Sequence, residues 1–183
     1  MGSFIIRGGK ELKGEIYPQG AKNEALQVIC ATLLTPEKVT IHNIPNIRDV
    51  NKLLDLIKCL GVTVTRESQS TYSFRAETIN FEYLQKPEFT EKAEGLRGSV
   101  MIMGPLLARF GKGYIPKPGG DKIGRRRLDI HFQGFEKLGA NFIYDHKSNF
   151  YTIEGASLKG NYMLLEEASV TGTANIIMAA SMA

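Results

Sequence analysis

The stretch "DVNKLLDLIKCLGVTVTRE", Asp49 to Glu67, joins the pattern of a helix directly to the pattern of a strand. In its first part apolar residues recur every three or four positions and fall on one face of a helix, whereas in its last part they alternate with polar residues. Gly61 stands between the two parts, where a glycine commonly ends a helix. The stretch predicts a helix, a glycine cap and a strand, and the apolar helical face comprises Val50, Leu53, Leu54, Ile57 and Leu60.

The segments on either side complete a larger unit. Upstream, "KNEALQVICATLL" (22–34) has the apolar spacing of a helix, and "KVTIHNIP" (38–45) indicates a strand. Downstream, "TYSFRA" (71–76) alternates again after a polar turn, which predicts a hairpin with the strand before it. The sequence thus predicts the order helix, strand, helix, hairpin.

The same order recurs about 75 residues further along the chain. Leu138-Gly139 repeats Leu60-Gly61, and Leu106-Leu107 repeats Leu33-Leu34. We therefore predict an α/β fold built from repeated units. The segments of the second unit are the helix "RGSVMIMGPLLARF" (97–110), the strand "GYIPK" (113–117), the helix "LDIHFQGFEKLG" (128–139) and the hairpin strands "NFIYDH" (141–146) and "FYTIEGA" (150–156).

A third copy starts with "SVTGTANIIMAASMA" (169–183), and the sequence stops inside this apolar helical pattern. A helix without a C-terminal cap or a following strand is an unusual end for a domain. We therefore expect the chain to be a piece of a longer protein, with a docked C-terminal helix as the alternative. The predicted units span about residues 21–94, 95–168 and 169–183, and the last is incomplete.

The composition is that of a globular protein, with 43% apolar and 23% charged residues. No apolar run reaches the roughly 18 residues of a membrane span, and the N-terminus lacks the features of a secretion signal, so we expect a cytoplasmic protein. Cys30 and Cys59 lie on apolar helical patterns, which predicts core thiols. The three histidines are scattered and no P-loop or GxGxxG motif occurs, so neither a metal nor a cofactor is expected.

Glycine and positive charge concentrate in "PGGDKIGRRRLD", Pro118 to Asp129. Glycine lets a backbone approach a ligand closely, and the planar arginine side chain suits phosphate. The stretch predicts an anion-binding loop, with a solvated run of charges as the alternative. Most of the net charge of +4 lies in and around it, which argues against a broad nucleic-acid surface.

Each predicted unit also begins its first helix with a polar or basic residue, namely Lys22, Arg97 and Thr171. Free backbone N–H groups and the helix dipole make such ends natural anion sites. The repeat would bring the three starts toward one end of the domain. Lys22, Arg97 and the arginine loop are therefore expected to meet at one polyanionic ligand, although each residue alone is equally typical of a solvated helix start.

Four segments closely resemble the UDP-N-acetylglucosamine enolpyruvyl transferases, in order and at that family's spacing: "GGKELKGEIYPQGAKNEAL", "LRGSVMIMGPLLARFGKG", "PGGDKIGRRRLDIHFQGFEKLGA" and "SVTGTANIIMAA". The resemblance implies an inside-out α/β barrel domain, one of two domains with three repeated units each. It implies that residues 1–20 belong to the other, missing domain and that residues 21–183 are most of the sugar-nucleotide-binding domain. The implied partners are UDP-N-acetylglucosamine, phosphoenolpyruvate and the missing C-terminal domain, without nucleic acid or membrane.

The resemblance also implies a reaction and roles for individual residues. An enolpyruvyl group passes from phosphoenolpyruvate to the 3'-hydroxyl of the sugar nucleotide, with release of phosphate, in the first committed step of peptidoglycan synthesis. Asp121 and Lys22 are the implied catalytic residues, and Lys22, Asn23 and Arg126 the implied phosphoenolpyruvate contacts. The implied sugar-nucleotide contacts are Asn23, Arg97, Arg126, Arg127, Leu128, Asp129, Ile130, Glu167, Ala168, Ser169 and Val170.

Asp121 stands where most members of that family carry a cysteine, which donates a proton and is alkylated by fosfomycin. An aspartate is ionised at pH 7, and surrounding cations lower its pKa further. Our hypothesis is that Asp121 becomes protonated only when substrate anions offset the arginines and the closed site excludes water. Because a carboxylate is a far poorer nucleophile than a thiolate, we expect fosfomycin insensitivity.

Two other functions stay open at this point. The shikimate-pathway enolpyruvyl transferase shares the fold and the chemistry, although "GAKN" and "PGGDKIGRR" fit the sugar-nucleotide branch. The chain alone is also expected to be inactive, as a non-catalytic sugar-nucleotide-binding lobe, because the resemblance places the catalytic base in the other domain.

Overall fold

The computed structural model describes residues 3–119 and 127–183, which contain six α-helices and six strands. The helices are α1 (Lys22–Ala31), α2 (Arg48–Cys59), α3 (Pro87–Glu94), α4 (Met103–Phe110), α5 (Asp129–Lys137) and α6 (Val170–Ala180). The strands are β1 (Val39–Ile41), β2 (Thr63–Arg66), β3 (Tyr72–Arg75), β4 (Lys112–Pro116), β5 (Asn141–Asp145) and β6 (Phe150–Glu154). Short 3-10 helices cover Thr32–Leu34, Tyr83–Gln85 and Arg97–Ile102.

The strands form two small antiparallel sheets with the same topology. The first has the order β1-β3-β2 and the second β4-β6-β5, so in each the last strand of the hairpin lies in the middle. In both units a helix separates the first strand from the hairpin. The predicted order of helix, strand, helix and hairpin is therefore confirmed in both units.

Glycine ends the second helix of each unit in the same way. Gly61 follows α2 with φ 96° and Gly139 follows α5 with φ 94°, a conformation that costs other residues energy because of their Cβ. The amide of the next residue bonds back into the last helical turn, at 3.3 Å from Val62 and at 3.0 Å from Ala140. These two bonds are Schellman caps, as the sequence predicted.

The helix predicted over residues 97–110 differs from the structure in its first half. Residues Arg97–Ile102 form a 3-10 helix, and the α-helix begins only at Met103. Pro105 has no N–H to donate and its ring crowds the carbonyl one turn earlier, so a regular α-helix does not continue through this point. Pro105 instead lies in the first turn of α4, where an N–H is not required.

The sequence analysis predicted no element between the hairpin of the first unit and Arg97, where the structure has α3. This helix starts with Pro87 at its first position and buries only Phe89 and Ala93, which lie one turn apart. Two apolar residues give too short a periodic pattern to be recognised. Its packing, rather than its sequence, decides its presence.

The core is one continuous cluster that extends through both units and lies among the helices. Helix α4 is central, because every residue from Met103 to Leu107 is buried. Helix α6 packs against α4 and α5 and leaves Val170 and Ile177 exposed. Cys30 is a buried free thiol of the core, as predicted, and burial raises the pKa of its thiol, whereas Cys59 is a free thiol that is only half-buried and lies outside the core cluster.

Arg109 joins the two units through backbone carbonyls. Its guanidinium donates to the carbonyl of Leu33 at 3.2 Å, to that of Ala76, and to that of Glu77 at 3.1 Å, while it stacks on Phe110. These carbonyls lie at the end of the first 3-10 helix and just after β3. A single side chain of the second unit therefore provides hydrogen bonds to backbone carbonyls at the ends of two elements of the first unit.

Residues 3–21 form neither a helix nor a strand, and the side chains of Phe4, Ile6 and Ile16 are at least 90% exposed. The assignment of residues 1–20 to another domain stays a prediction.

Candidate functional site

A cavity of about 980 Å³ opens where several helices begin. Its wall contains the first residues of α1, α2 and α6, the start of the 3-10 helix before α4, and residues next to and within α5. Five basic and three acidic side chains give it a positive balance. The charged residues are Lys22, Arg48, Asp49, Lys52, Glu94, Arg97, Arg127 and Glu167.

Three of these helical segments begin without a side-chain cap. The residues before them are Ala21, Ile47 and Leu96, whose side chains carry no oxygen to accept from a backbone amide, and no side-chain capping bond is present at these starts in the described part of the chain. Helix α6 differs, because the hydroxyl of Ser169 accepts a hydrogen bond from the amide of Gly172 at 3.1 Å. The uncapped amides add partial positive charge to the cavity wall.

Lys22 and Asp49 connect the first turns of α1 and α2. The Nζ of Lys22 lies 3.2 Å from Oδ2 of Asp49, and both side chains are more than a third exposed. On the same side of α2, Lys52 donates to the carbonyl of Gly95 at 2.6 Å. These contacts hold two ammonium groups at the cavity while leaving their remaining N–H donors for a ligand.

Arg97 and Arg127 form another part of the cavity wall. The guanidinium of Arg97 donates to the carbonyl of Arg127 at 3.2 Å. Arg127 in turn lies 2.7 Å from the carboxylate of Asp129 and 3.8 Å from that of Glu166. The arginines are therefore fixed in position before any anion binds.

His131 contributes the one buried imidazole of this wall in the described residues. Only 2% of the residue is exposed, and its Nδ1 lies 2.9 Å from Nδ2 of Asn175. Burial and the nearby charge of Arg97 lower the pKa of His131 to about 4. The ring is therefore uncharged at neutral pH.

Comparison with known proteins shows to which family this chain belongs. Residues 6–183 match the family of EPSP synthase (3-phosphoshikimate 1-carboxyvinyltransferase). The chain belongs to the EPSP synthase family. It is 61% identical, over its whole length, to a UDP-N-acetylglucosamine 1-carboxyvinyltransferase of Bacteroides thetaiotaomicron and 55% identical to one of Porphyromonas gingivalis. The chain spans 42% of the length of each of these relatives.

Solved structures confirm the enolpyruvyl transferase fold of this EPSP synthase family chain. An EPSP synthase of Acinetobacter baumannii superposes with a TM-score of 0.68 at 16% identity, covering 96% of this chain and 40% of that one. The enolpyruvyl transferase NikO of Streptomyces tendae superposes with a TM-score of 0.67, covering 82% of this chain and 32% of that one. At such identity the likeness concerns the fold alone, whereas the sequence identity confirms the resemblance to the UDP-N-acetylglucosamine branch.

The structure brings together about half of the site residues predicted from the sequence of this family member. Six of them line the cavity: Lys22, Asn23, Arg97, Arg127, Glu167 and Ser169. Leu128 and Ile130 are buried, Val170 is 69% exposed, and these three, Asp129 and Ala168 are not among the lining residues. Asp121 and Arg126 lie outside the described residues.

Five lining residues with ionisable side chains were not predicted from the sequence, namely Arg48, Asp49, Lys52, Glu94 and His131. The first three belong to the first turns of a second helix, a position that the repeat argument assigned only to first helices. His131 lies on the buried face of α5 between Ile130 and Phe132, and nothing in its spacing sets it apart from a core histidine. No cluster of metal-ligating side chains occurs in residues 3–119 and 127–183, and no helix there is long and apolar enough to cross a membrane.

Proposed function

We propose that this chain is most of the sugar-nucleotide-binding domain of an enzyme that transfers enolpyruvyl from phosphoenolpyruvate to the 3'-hydroxyl of UDP-N-acetylglucosamine. The observation that carries the proposal is the cavity into which Lys22, Arg97 and Arg127 converge between uncapped helix starts. Fixed ammonium and guanidinium groups beside free amides suit a ligand with several phosphate and carboxylate groups. Its volume of about 980 Å³ suits a large ligand.

The relatives favour a sugar nucleotide over shikimate 3-phosphate. Identities of 61% and 55% over the whole chain connect it to proteins named UDP-N-acetylglucosamine 1-carboxyvinyltransferase, whereas the likeness to EPSP synthase structures is at 16%. The proposal includes the second, C-terminal domain as the partner of this chain, residues 1–20 as part of that domain, and a cytoplasmic location.

In the proposed reaction the sugar hydroxyl gives its proton to the catalytic base of the other domain, its oxygen adds to C2 of phosphoenolpyruvate, and C3 receives a proton. Phosphate then leaves as C3 loses a proton, which yields the enolpyruvyl ether. Lys22 and Asn23 hold phosphoenolpyruvate at the start of α1, together with Arg126. Asp121 supplies the proton, and Lys22 balances the anionic charge beside it.

In the proposed complex the sugar nucleotide lies along the part of the cavity wall that carries Arg97 and Arg127. Arg97 is fixed there by its hydrogen bond to the carbonyl of Arg127 at 3.2 Å, and Arg127 by its ion pair with Asp129. Together with Glu167 and Ser169 they contact its diphosphate and uridine in the proposed complex, and the segments 126–130 and 167–170 complete the pocket. The described contacts support this role because they hold the two guanidinium groups in place at the cavity wall.

A calorimetric titration of the chain with UDP-N-acetylglucosamine tests the proposal. We expect saturable binding that is lost in Arg126→Ala and absent for shikimate 3-phosphate. Arg75→Ala is the matched control, because Arg75 pairs with Glu77 at 3.0 Å on the first sheet and does not line the cavity. Binding of shikimate 3-phosphate instead of the sugar nucleotide would assign the chain to the other branch.

A second experiment separates an enzyme from a binding lobe. A chain extended to the full length of its relatives is mixed with both substrates, and phosphate release is measured. Turnover by the long chain with none by residues 1–183 alone supports the proposal. Binding without turnover by the long chain would make the protein a sugar-nucleotide-binding module.

A further inference from the structure

A buried polar cluster ties α6 to the wall of the cavity. Asn175 is fully buried in the middle of α6 and makes three hydrogen bonds. Its Oδ1 accepts from the amide of Gly104 at 2.9 Å, and its Nδ2 lies 3.0 Å from the carbonyl of Val100 and 2.9 Å from Nδ1 of His131.

These partners leave one orientation for the amide of Asn175. The amide of Gly104 is only a donor, so it requires the oxygen, and the carbonyl of Val100 is only an acceptor, so it requires the nitrogen. A side chain at position 104 would overlap both the backbone oxygen and Oδ1 of Asn175, so the glycine permits this close approach. A flipped amide would lose two buried hydrogen bonds at once.

The orientation of Asn175 decides where His131 carries its proton. Because Nδ2 of Asn175 is a donor, Nδ1 of His131 accepts, and the proton of the neutral ring is on Nε2. No described residue accepts a hydrogen bond from Nε2 of His131. The residue is only 2% exposed, and it lines the cavity. The edge of the ring that carries Nε2 faces away from Asn175, which holds the other side.

We propose that Asn175 is a positioning residue that fixes His131 as an uncharged Nε2–H donor for a phosphate or carboxylate oxygen of the ligand in the cavity. This inference rests on the proposed function of the cavity as the site of an anionic substrate. A neutral donor would give the ligand a directed hydrogen bond in addition to its contacts with the charged groups of Lys22 and Arg97. It does so without burying a further charge. The burial of His131 and the charge of Arg97, which keep its pKa at about 4, agree with this role.

The first test needs no ligand. Long-range proton–nitrogen spectra of the chain identify the tautomer of each histidine, and His42 and His146 are exposed internal references. We expect His131 as the neutral Nε2–H form at pH 7. In Asn175→Asp a carboxylate oxygen faces Nδ1, so the proton should move to Nδ1 or the ring should become charged. An Nδ1–H or charged ring in the unmodified chain would overturn the inference.

The second test measures affinity for UDP-N-acetylglucosamine by calorimetry in two variants of His131. The amide nitrogen of Gln reaches the place of Nε2, whereas that of Asn reaches only the place of Nδ1. We expect His131→Asn to weaken binding roughly tenfold or more and His131→Gln to recover most of this loss. His42→Gln, outside the cavity, is the matched control.

Equal losses in the two variants would overturn the donor role of Nε2, even where the spectra show the expected tautomer. Absence of binding by the unmodified chain would overturn the proposed function and with it the role toward the ligand. The spectra still decide, in that case, whether Asn175 sets the tautomer of His131.

Discussion

The ends of the helices and their starts are built in opposite ways. Helices α2 and α5 end at Gly61 and Gly139, where the last carbonyls are bonded by the chain that follows. Three helical segments at the cavity begin after Ala21, Ile47 and Leu96, whose side chains bond none of the first amides. The satisfied ends contribute to stability, whereas the open starts are available to a ligand. Changes at the two places should therefore separate stability from binding.

The largest expected effect concerns Asp121 in the predicted anion-binding loop, residues 118–129. An enzyme extended to the length of its relatives should resist fosfomycin, because Asp121 offers a carboxylate instead of a thiolate. Asp121→Cys should create time-dependent inactivation, measured as loss of turnover after preincubation and as an adduct mass in this loop.

The role of Asp121 as proton donor has its own check. In the extended enzyme, activity should fall on the alkaline limb of the pH–rate profile as Asp121 loses its proton, and Asp121→Asn should alter that limb, since the amide does not titrate. An adduct on the unmodified loop, or an unchanged limb in Asp121→Asn, would contradict the assignment.

Arg109→Ala is the strongest test of backbone carbonyls that the protein satisfies internally, away from the cavity. The change removes charge-assisted hydrogen bonds to the carbonyls of Leu33, Ala76 and Glu77. We expect the free energy of unfolding to fall by about 3 kcal/mol, measured by denaturant titration, with little change in affinity per folded molecule. Arg109→Lys should be intermediate, because one ammonium does not reach all three oxygens. A variant of normal stability that fails to bind would break the comparison.

The pH dependence of stability tests the burial of His131 in the cavity wall. The pKa of His131 is about 4 in the folded chain, below its ordinary value of 6.5. Between these values the unfolded chain binds more protons, so the free energy of unfolding should fall as the pH drops from about 6.5 to 4, by about 3 kcal/mol from this group. Denaturant titrations across this range measure it, and His131→Gln should flatten the slope. The same slope in both proteins would place the effect elsewhere.

Two lysines with similar ion pairs, one at the cavity and one away from it, allow effects on binding to be distinguished from effects on stability. Lys22 lies 3.2 Å from Asp49 at the cavity, and Lys38 lies 3.1 Å from Glu67 on the first sheet. Lys22→Ala should weaken binding of UDP-N-acetylglucosamine roughly tenfold, whereas Lys38→Ala should leave it unchanged. Because both ion pairs are exposed, neither change should measurably alter the free energy of unfolding. Equal effects of the two changes on affinity would refute the assignment of the cavity.

The smallest expected effect is at the glycine caps. Gly61→Ala and Gly139→Ala should each lower the free energy of unfolding by about 1 kcal/mol, because alanine is strained at φ 96° and φ 94°. Affinity should stay the same in both. Thermal unfolding of the two variants, measured side by side, also shows whether the repeated caps contribute equally.

Much of the fold was predictable because its signals are local. The period of apolar residues and the glycine after Leu60 and Leu138 fixed both second helices and the strands that follow. The split of the helix at Arg97–Ile102 and the presence of α3 were not predicted, because the first depends on Pro105 and the second on two buried residues. Six of the predicted site residues do line the cavity: the repeat marked the helix starts at Lys22 and Arg97, and the family resemblance supplied Asn23, Arg127, Glu167 and Ser169.

The sequence by itself determined the repeated unit, its caps and the family, because periodicity, positive-φ glycine and the quoted motifs are read from neighbouring residues. Only the tertiary structure decided that the start of α2 joins the same cavity, through Arg48, Asp49 and Lys52. It also decided that Asn175, 44 residues from His131 in the chain, sets the proton of that ring. Such contacts depend on how the helices pack against each other, and no local pattern in the sequence records that packing.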